Sequence, residues 1–401
     1  MRQNFLFIFC LIIMITSCRE QKNKSEIFIP KDIVIAHRGT TYWAPEETEA
    51  AYRWARDIGA HYLEVDIQRS KDGVLMALHD NQLTRTTNIS MIYPKRDTLA
   101  SSAFTFEELL QLDVGSWFNS LNPDRAKINF TINADIFKSK TKAFYFNDEG
   151  EKVLMDLDSV YYGGKLQILA LEDVIRIAEG YRMAKDAKGD RLFEKIEKDG
   201  KNYYRFFYVE DIHNSENMPG VYIETKKPQL FPGIEADLFD ELDRLGWNQL
   251  TKPTLDTLIV LDSKVNVANT SAKIILQTFS PNSLKQLHQH FKRQIPINFL
   301  LWLGEPNMPS DDKDIYMSNL EYAKKNGAHI IGPSIGGAPN NYSNLLKTEH
   351  YKWIRSKGLL IHPYSFDTQE QTIKFGNLAD GMFTNRADLT IKYYTEKKPF
   401  Y

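Results

Sequence analysis

Two carboxylates, two histidines and an arginine near the start of the chain have the types and spacing of a chemical site. Glu64 and Asp66 are two residues apart in one apolar run, and His37 and His79 each follow a short apolar run. Because side chains alternate along a β-strand, Glu64 and Asp66 project from one face and repel each other unless a cation lies between them. Hard divalent cations take oxygen ligands of this kind, Arg38 can bind a phosphate through two hydrogen bonds, and histidines transfer protons near neutral pH. The pattern predicts metal-assisted phosphoester chemistry.

The elements that must position these residues follow a regular order. From residue 31 onward, strand-like runs alternate with amphipathic helical stretches, which is typical of βα units around a parallel sheet. The nine strand-like runs cover residues 33–36, 62–67, 74–78, 221–225, 274–279, 297–302, 329–331, 359–362 and 381–384. The helical patterns cover residues 47–58, 106–112, 171–179, 234–245, 283–291, 315–325 and 344–356. The simplest architecture is an α/β fold, a (β/α)8 TIM barrel over residues 31–401, in which one of the nine runs must be short, irregular or outside the ring.

Two segments interrupt this alternation, at about residues 121–166 and 185–219. Both are rich in polar and aromatic residues, and each contains a hairpin signal between short β-prone runs, at residues 147–150 and 198–201. We therefore expect an inserted small β-rich subdomain. Long structured loops on a barrel commonly border the active site, so the insertions either shape substrate choice or decorate the surface.

The composition is that of a globular protein with a large core. The chain has 401 residues, of which 42% are hydrophobic and 12% aromatic, enough for one large domain. Its formal net charge is −2. Because a general nucleic-acid binder needs a clustered excess of Lys and Arg, this composition argues against nucleic acid as a partner.

The first residues have the layout of a secretory signal. The apolar run 5–15 follows a positively charged end and is too short to span a bilayer comfortably. Residues 15–18, Ile-Thr-Ser-Cys, close this run and resemble a bacterial lipobox, in which cleavage before the cysteine leaves it lipid-modified. We expect residues 1–17 to be a lipoprotein signal peptide, Cys18 to carry the lipid, and residues 18–30 to form a flexible tether. The expected location is the bacterial cell envelope, on a membrane at the periplasm or the cell surface, and an ordinary cleaved signal peptide is the alternative.

An ordered string of motifs runs along the chain from Ile33 to about Leu389, interrupted by the two insertions. The most specific motifs are AHRG at residues 36–39, APEET at 44–48, the Glu-x-Asp pair, SKDG at 70–73, and HD at 79–80 followed by LTRTT at 83–87. Weaker motifs are GSWF at 115–118, IETK at 223–226, QTF at 277–279, HPYS at 362–365 and DGMFTN at 380–385. In this order they resemble the glycerophosphodiester phosphodiesterase family.

The resemblance implies a cofactor and a catalytic pair. Glu224 would join Glu64 and Asp66, and the three carboxylates would bind one Ca²⁺ or Mg²⁺ ion, leaving positions open for phosphate oxygens and water. His37 and His79 would serve as general base and general acid. We favour His37 as the base and His79 as the acid, and the reverse assignment stays open.

The resemblance also implies substrate-binding residues. Arg38 would grip the phosphate and stabilise charge on its oxygens, and Lys226 would meet the same phosphate as a point charge. Glu46 corresponds to the acidic residue of the family motif, which lies near the metal or hydrogen-bonds a ligand. Glu47 departs from the family, which usually has Asn there. Because a negative charge near a phosphate is unfavourable, we expect Glu47 to point away, to contact the metal shell or to meet a cationic or hydroxylated head group.

Aromatic residues at or near predicted strand ends could wall the pocket for the alcohol half of the substrate. They are Tyr42, Trp43, Phe279, Trp302 and Tyr364. Each could stack on a choline-like cation or on glycerol carbons, and each could instead pack in the core. Phe279 and Tyr364 rank highest because they lie in motifs that match the family.

The resemblance thus implies a membrane-tethered phosphodiesterase that hydrolyses glycerophosphodiesters to glycerol 3-phosphate and an alcohol. A second possibility keeps the site but acts on lysophospholipids, as in related barrels with phospholipase D activity, and an apolar insertion surface beside the pocket would favour it. A third is a non-catalytic lipoprotein that binds phosphorylated sugars or lipids. The retention of both histidines and all three carboxylates counts against the third possibility.

Overall fold

The computed structural model describes residues 28–29, 31–121, 144–146, 152–154, 166–198, 200–212, 214–248, 260–261, 264–266, 273–291 and 295–396. The predicted signal peptide, Cys18 and all of the predicted tether except Phe28–Ile29 lie outside these residues. Phe28–Ile29 is a short strand that pairs antiparallel with Lys264–Asn266, which in turn pairs with Val260–Leu261. Among the described residues, no helix is both long enough and apolar enough to cross a membrane.

Parallel strands follow one another around a barrel in chain order. They are β1 (Ile33–Ala36), β2 (Tyr62–Arg69), β3 (Gly220–Thr225), β4 (Ile274–Thr278), β5 (Ile297–Leu301), β6 (Ile330–Pro333), β7 (Leu360–Ile361) and β8 (Gly381–Thr384). Backbone hydrogen bonds, such as the one from the Asp380 N–H to the Ile361 carbonyl (2.8 Å), bring β8 against β7 and nearly close the ring. The predicted (β/α)8 TIM barrel is confirmed.

The ninth predicted run is the one that lies outside the ring. Leu75–Ala77 pairs antiparallel with the end of β2, which continues to Arg69, beyond the predicted end of that strand. The chain therefore doubles back along β2, and the Leu78 N–H donates to the Asp66 carbonyl at 2.9 Å. This return places His79 beside the strand that carries the two carboxylates.

A helix follows each barrel strand. The helices are α1 (Glu49–Ile58), α2 (Leu171–Ala178), α3 (Ile234–Arg244), α4 (Pro281–Phe291), α5 (Lys313–Lys325), α6 (Thr348–Ser356), α7 (Gln369–Phe375) and α8 (Ala387–Glu396). Shorter helices cover Ile89–Ile92, Phe106–Leu109 and Ser116–Leu121 in the connection between β2 and α2. The Thr48 hydroxyl caps α1 by accepting from the Ala51 N–H, and Gly59 ends the helix with a φ of 97° that suits glycine. The sequence patterns did not predict α7 and α8, although the capping box of Thr368 and Gln371 marks the start of α7.

Alternation along the strands separates two cores. Ile33 and Ile35 of β1 point into the barrel, where they join Tyr222 and the other inward side chains. Val34 and Ala36 face the surrounding helices and belong to the larger core between sheet and helices. This two-residue period is that of a barrel strand. His37 and Arg38 directly follow β1 and therefore lie at the rim of the barrel.

The insertion at residues 185–219 packs on the outside of the barrel. Its hairpin pairs Phe193–Lys198 with Lys201–Phe206, around the predicted turn. The Tyr204 hydroxyl donates to Asp72 Oδ2 at 2.6 Å, and Asp211 binds Arg53 of α1 at 2.7 Å. Of the insertion at residues 121–166, the structure describes an antiparallel strand pair, Phe144–Phe146 with Lys152–Leu154, and a few residues at the two ends of the segment.

Candidate active site

The C-terminal ends of β1, β2 and β3 bring the predicted site residues to one rim of the barrel. The parallel register pairs Glu224 with Asp66 and Tyr222 with Glu64. A cavity of about 730 Å³ opens at this rim, where barrels of this kind carry their active sites. The predicted site residues that line it are His37, Arg38, Glu64, His79, Glu224, Lys226, Phe279 and Tyr364.

Glu64, Asp66 and Glu224 form a buried carboxylate cluster. One oxygen from each residue lies within 4.8 Å of the others. Glu64 is held at both oxygens: Oε2 accepts from the Arg38 backbone N–H at 2.8 Å, and Oε1 accepts from the Gln277 side-chain amide at 2.8 Å. The three carboxylates are therefore positioned by strand register and hydrogen bonds.

Two basic side chains, Arg38 and Lys226, contact the carboxylate cluster. Arg38 Nε lies 3.0 Å from Asp66 Oδ2, and Lys226 Nζ lies 2.9 Å from Glu224 Oε1 and 3.4 Å from Asp66 Oδ1. Burial opposes ionisation of Asp66, but Lys226 and Arg38 outweigh it and hold the pKa of Asp66 below its usual range. Burial, together with repulsion from Asp66, raises the pKa of Glu64 and of Glu224. This set of hard oxygen donors, with a surplus of negative charge, fits a divalent cation such as Ca²⁺ or Mg²⁺.

His37 directly follows β1 and is anchored through one ring nitrogen. Its Nδ1 lies 2.7 Å from the side-chain oxygen of Asn385, which directly follows β8. Burial, and then the neighbouring Arg38, lowers the pKa of His37 to about 3. The ring is therefore neutral at physiological pH, and it can accept a proton at its other nitrogen.

His79 follows the strand that doubles back along β2. Its Nδ1 lies 2.6 Å from Asp80 Oδ1. The Gln68 side-chain amide donates to the backbone carbonyls of Leu78 and His79 at 2.9 and 3.0 Å, which fixes the local backbone. Burial, followed by Arg38, lowers the pKa of His79, and Asp80 opposes this shift.

Glu46 binds two arginines and is not among the residues that line the cavity. Arg85 donates to both of its carboxylate oxygens, at 3.0 Å for Nη1 to Oε2. Arg38 Nη1 lies 3.5 Å from Glu46 Oε1. Arg85 also binds Asp80, the partner of His79. Glu46 therefore stands behind Arg38, in a chain of contacts that reaches His79.

Glu47 points away from the cavity, which is one of the alternatives expected for it. Its Oε1 accepts from the Asp66 backbone N–H at 3.0 Å, and its Oε2 accepts from the Tyr52 hydroxyl. Burial, together with Asp66 and Glu64, raises its pKa well above the usual value. Glu47 thus supports the backbone of a carboxylate residue from behind, and its φ of 58° belongs to the tight turn that takes it there.

Aromatic rings form one wall of the cavity. Phe279, Trp302 and Tyr364 line it as expected, and Tyr342, which the sequence patterns did not single out, joins them. Trp302 contacts Tyr342 edge to face with ring centroids 4.9 Å apart, and Phe279 contacts Tyr364 in the same manner at 5.7 Å. The Lys226 ammonium lies 5.4 Å from the Phe279 ring centroid, so the aromatic wall begins next to the charged floor.

The other two predicted aromatic residues do not line the cavity. Trp43 is buried in the core and stacks on Trp54 with ring centroids 6.0 Å apart. Tyr42 packs against the Arg386 guanidinium at 4.2 Å. For these two residues the alternative of packing away from the pocket applies, because the turns that follow Arg38 direct both rings toward α1 and the residues after β8.

Two residues with clear contacts in the site received no role from sequence reasoning. Gln277 binds Glu64, and Asn385 binds His37. Both lie in motifs that match the family, QTF and DGMFTN, and both stand at the C-terminal end of a predicted strand. Their position at strand ends is the signal that could have identified them.

A (β/α)8 barrel that gathers carboxylates, basic side chains and two histidines around one cavity at its strand ends has the arrangement of an enzyme active site. The family model of the glycerophosphoryl diester phosphodiesterase family matches residues 37–193 and 223–389. The chain belongs to this family, as the sequence motifs predicted, and it is an enzyme of the phosphoric diester hydrolase class.

Individual relatives agree with this assignment. A glycerophosphodiester phosphodiesterase of Bacillus subtilis (strain 168) is 27% identical over 374 residues, which cover 92% of this chain and 88% of the relative. A phosphodiesterase of Oleispira antarctica, solved in complex with the product sn-glycerol-3-phosphate, has a TM-score of 0.52 at 14% identity and covers 91% of this chain and 97% of its own. A Silicibacter pomeroyi protein assigned as a glycerophosphoryl diester phosphodiesterase has a TM-score of 0.56 at 14% identity, with coverage of 92% and 95%. At this identity, the two solved structures support the fold.

Proposed function

We propose that this enzyme hydrolyses glycerophosphodiesters to glycerol 3-phosphate and an alcohol, with one divalent cation and two histidines. The observation that carries the proposal is the convergence of the buried carboxylate cluster, Arg38, Lys226, His37 and His79 around one cavity of about 730 Å³. Family membership and the product bound to the Oleispira antarctica relative support the substrate class.

The carboxylate cluster would hold the cation. Glu64, Asp66 and Glu224 supply hard oxygen ligands, which suit Ca²⁺ or Mg²⁺. When bound, the cation supplies Lewis-acid stabilisation of negative charge on the phosphate oxygens. The mutual repulsion of the three carboxylates supports this assignment, because a cation at their centre removes it.

The remaining groups would bind the phosphate and move protons. Arg38 and Lys226 bring positive charge to the cavity, where they would neutralise the phosphodiester. One histidine would take the proton of an attacking water, and the other would give a proton to the leaving oxygen. We assign these roles to His37 and His79 respectively.

The aromatic wall favours a second candidate substrate class, the lysophospholipids. Phe279, Trp302, Tyr342 and Tyr364 give the cavity an apolar side, which suits the phospholipase D-like hydrolysis of lysophospholipids. The insertion at residues 185–219 does not add to that side, since none of its described residues lines the cavity. Among the residues that the structure describes, the apolar side of the cavity comes from barrel loops and strand ends.

Product analysis separates the two candidates. The purified enzyme is incubated with glycerophosphocholine, glycerophosphoethanolamine and lysophosphatidylcholine, each with Ca²⁺ or Mg²⁺. The proposal expects glycerol 3-phosphate and the free alcohol from the first two substrates, at a higher kcat/KM than for the lysophospholipid. Release of phosphocholine, or turnover of the lysophospholipid alone, would overturn it.

We further propose that the enzyme is held at a membrane of the bacterial envelope by a lipid on Cys18. The lipobox-like residues before Cys18 support this anchor. Cys18→Ser should move the expressed protein from the membrane fraction to the soluble fraction. Cys10→Ser is the matched control, because Cys10 is the other of the two cysteines and lies in the part that cleavage would remove. Membrane association of the Cys18→Ser protein would refute the anchor.

A further inference from the structure

The cavity at the barrel rim has a charged half and an aromatic half. The charged half lies at the ends of β1, β2 and β3 and in the loops that follow them, and it carries the histidines and the basic side chains. The aromatic half lies at the ends of β4 to β7 and in the loops that follow, and it carries Phe279, Trp302, Tyr342 and Tyr364. Among the described residues that line this aromatic half, Glu305 alone has a charged side chain.

The loop that follows β5 holds Glu305 beside the aromatic wall. The Glu305 N–H donates to the Trp302 carbonyl at 3.4 Å, and the Met308 N–H donates to the Glu305 carbonyl at 2.8 Å. Met308 is fully buried, and the side chain of Asn307 donates to Asn319 of α5 at 2.7 Å. The loop is therefore fixed to the barrel, and its turn keeps Glu305 close to Trp302.

The Glu305 carboxylate has no basic partner in the described part of the chain. It is exposed at the opening of the cavity, and no salt bridge joins it to another described residue. In the charged half, by contrast, Glu224 binds Lys226 and Asp80 binds Arg85. The negative charge of Glu305 is therefore left to act on a ligand.

The rings of the aromatic wall present carbon surfaces, not hydroxyl groups, to a ligand. The Tyr364 hydroxyl donates to the Leu301 carbonyl at 2.8 Å, and the Tyr342 hydroxyl has the Ser365 side chain as a hydrogen-bond partner. Trp302 lines the cavity and is 37% exposed. Because aromatic faces attract cations, and Trp does so most strongly, this surface suits a positively charged group better than it suits the hydroxyl groups of glycerol.

Tyr364 connects the aromatic wall to the charged half. It contacts Phe279 edge to face, and Trp302 stacks against it with ring centroids 6.4 Å apart. Burial, then Glu224 and, to a smaller degree, Glu305 raise the pKa of Tyr364 well above its usual value. Tyr364 is thus within electrostatic reach of both carboxylates. A phosphodiester bound at the charged half would therefore have one of its ester groups on the wall, toward Glu305.

The two ends of the wall differ in the charge beside them. The Lys226 ammonium lies 5.4 Å from the Phe279 ring centroid, so a second positive group there would be repelled. The Trp302 end has the Glu305 carboxylate instead, which attracts a positive group. A cation on the wall is therefore favoured at Trp302 and disfavoured at Phe279.

We propose that Trp302, Tyr342 and Glu305 form a binding site for a positively charged group on the alcohol half, so that the preferred substrates are esters of amino alcohols such as choline or ethanolamine. This inference rests on the proposed function and names the class of alcohol that the proposed function leaves open. The phosphate lies at the charged half, near Arg38 and Lys226, and the ammonium group lies on the aromatic surface beside Glu305. The three residues of this site determine specificity and take no part in bond breaking.

The ratio of kcat/KM for two substrates tests the site by turnover. Glycerophosphocholine carries the positive group, and glycerophosphoglycerol has a neutral alcohol on the same phosphodiester. We expect the natural enzyme to prefer glycerophosphocholine. Glu305→Gln should lower the ratio of the two kcat/KM values by about 5- to 10-fold, because the amide keeps the size and loses the charge, and Trp302→Leu should lower it by about 3-fold. An unchanged ratio in Glu305→Gln, or a natural enzyme that prefers glycerophosphoglycerol, would overturn the proposal.

A binding measurement separates this inference from the proposed function. Choline and 3,3-dimethylbutan-1-ol have the same shape, but only choline is charged. Ligand-observed NMR with the cation-loaded natural protein should show choline binding about 5- to 10-fold more tightly than the neutral alcohol, and Glu305→Gln should remove most of this difference. Equal affinities in the natural protein would overturn the inference even if glycerophosphodiesters are hydrolysed. Preferential binding of choline by a protein that releases no glycerol 3-phosphate would instead refute the proposed function.

A matched control excludes an effect of overall charge. Glu396→Gln makes the same chemical change at an exposed residue at the end of α8, outside the cavity lining. It should leave the substrate ratio and the preference for choline at their natural values. Equal changes in Glu396→Gln and Glu305→Gln would show that net charge, not a contact with the alcohol, sets the preference, and the proposal would fail.

Discussion

Two buried groups of charged side chains in this enzyme are built in opposite ways. In the carboxylate cluster at the barrel rim, three acidic side chains share two basic partners, Arg38 and Lys226. Under the insertion at residues 185–219, the Asp211 carboxylate accepts hydrogen bonds from Arg53 and Arg56 at 2.6–3.0 Å, and Arg56 also binds Asp57 at 2.7 Å. Burial would raise the pKa of Asp211, but the two guanidinium groups lower it below its usual value.

The difference separates stability from function. Around Asp211, the buried acidic and basic side chains are paired, and these ion pairs hold the insertion against α1. In the carboxylate cluster, burial and repulsion raise the pKa of two of the three acidic groups, so the folded protein bears a cost that a ligand can remove. Such perturbed groups in a cleft are typical of functional sites. The predictions below act on one group at a time.

Removal of the cation should have the largest effect. Thorough chelation should abolish turnover of glycerophosphocholine, and Ca²⁺ or Mg²⁺ should restore it, because the cation neutralises charge on the phosphate oxygens. Turnover is followed by release of glycerol 3-phosphate. Activity that persists after chelation would remove the cation from the scheme.

Loss of the Asp211 carboxylate should lower the stability of the folded protein. Asp211→Ala removes the carboxylate that Arg53 and Arg56 share, while Arg56 keeps Asp57 and Arg53 keeps Glu49. The free energy of unfolding should fall by about 1.5–3 kcal/mol. The measurement is urea unfolding. Glu194→Ala is the control in the same insertion, since its exposed ion pair with Arg205 should contribute less than about 1 kcal/mol. Equal losses for the two variants would contradict the difference drawn here.

The two histidines should matter for rate and little for stability. His37→Ala and His79→Ala should each lower kcat by about 100-fold or more, the lower end of general acid–base contributions. His290→Ala, a histidine on α4 away from the cavity lining, should retain normal turnover. Near-normal kcat in both site variants would end the proposed mechanism.

The sequence predicted the parts of the site that belong to single strands. The bounds of β1 and β8 match the predicted runs, because each is a short apolar segment that ends in polar residues. The cavity lining includes both predicted histidines and two of the three predicted carboxylates, with Asp66 buried beneath. Strand alternation and the family motifs were sufficient for these positions.

The rest depends on contacts between distant segments. That residues 75–77 leave the ring follows from their antiparallel pairing with the extended end of β2, which periodicity does not reveal. Asn385 reaches His37 across 348 residues of chain, through the neighbouring ends of β8 and β1. The burial of Trp43 depends on the packing of Trp54, one helix further on. Local patterns can mark a strand end, but they do not show which distant residue will contact it.

The pH dependence of stability should differ between the two groups of charge in the metal-free protein. Burial raises the pKa of Glu224 from 4.5 to about 8 in the folded state, so folded protein holds a proton that unfolded protein releases. The stability from this group is complete below pH 4.5 and is lost as pH rises toward 8, by up to about 1.4 kcal/mol per pH unit. Asp211, whose pKa is lowered, contributes stability above its usual value of 3.8 and loses it as pH falls further.

Urea unfolding of the metal-free protein across this pH range measures the slope. Glu224→Gln should flatten it, because the amide does not titrate, and saturating Ca²⁺ or Mg²⁺ should flatten it in the natural protein, because the cation favours the charged carboxylate. Glu194→Gln, on the exposed hairpin, should keep the natural slope. An unchanged slope in Glu224→Gln would mean that Glu224 is not the group that takes up the proton. The two groups of charged residues would then not differ in the way proposed here.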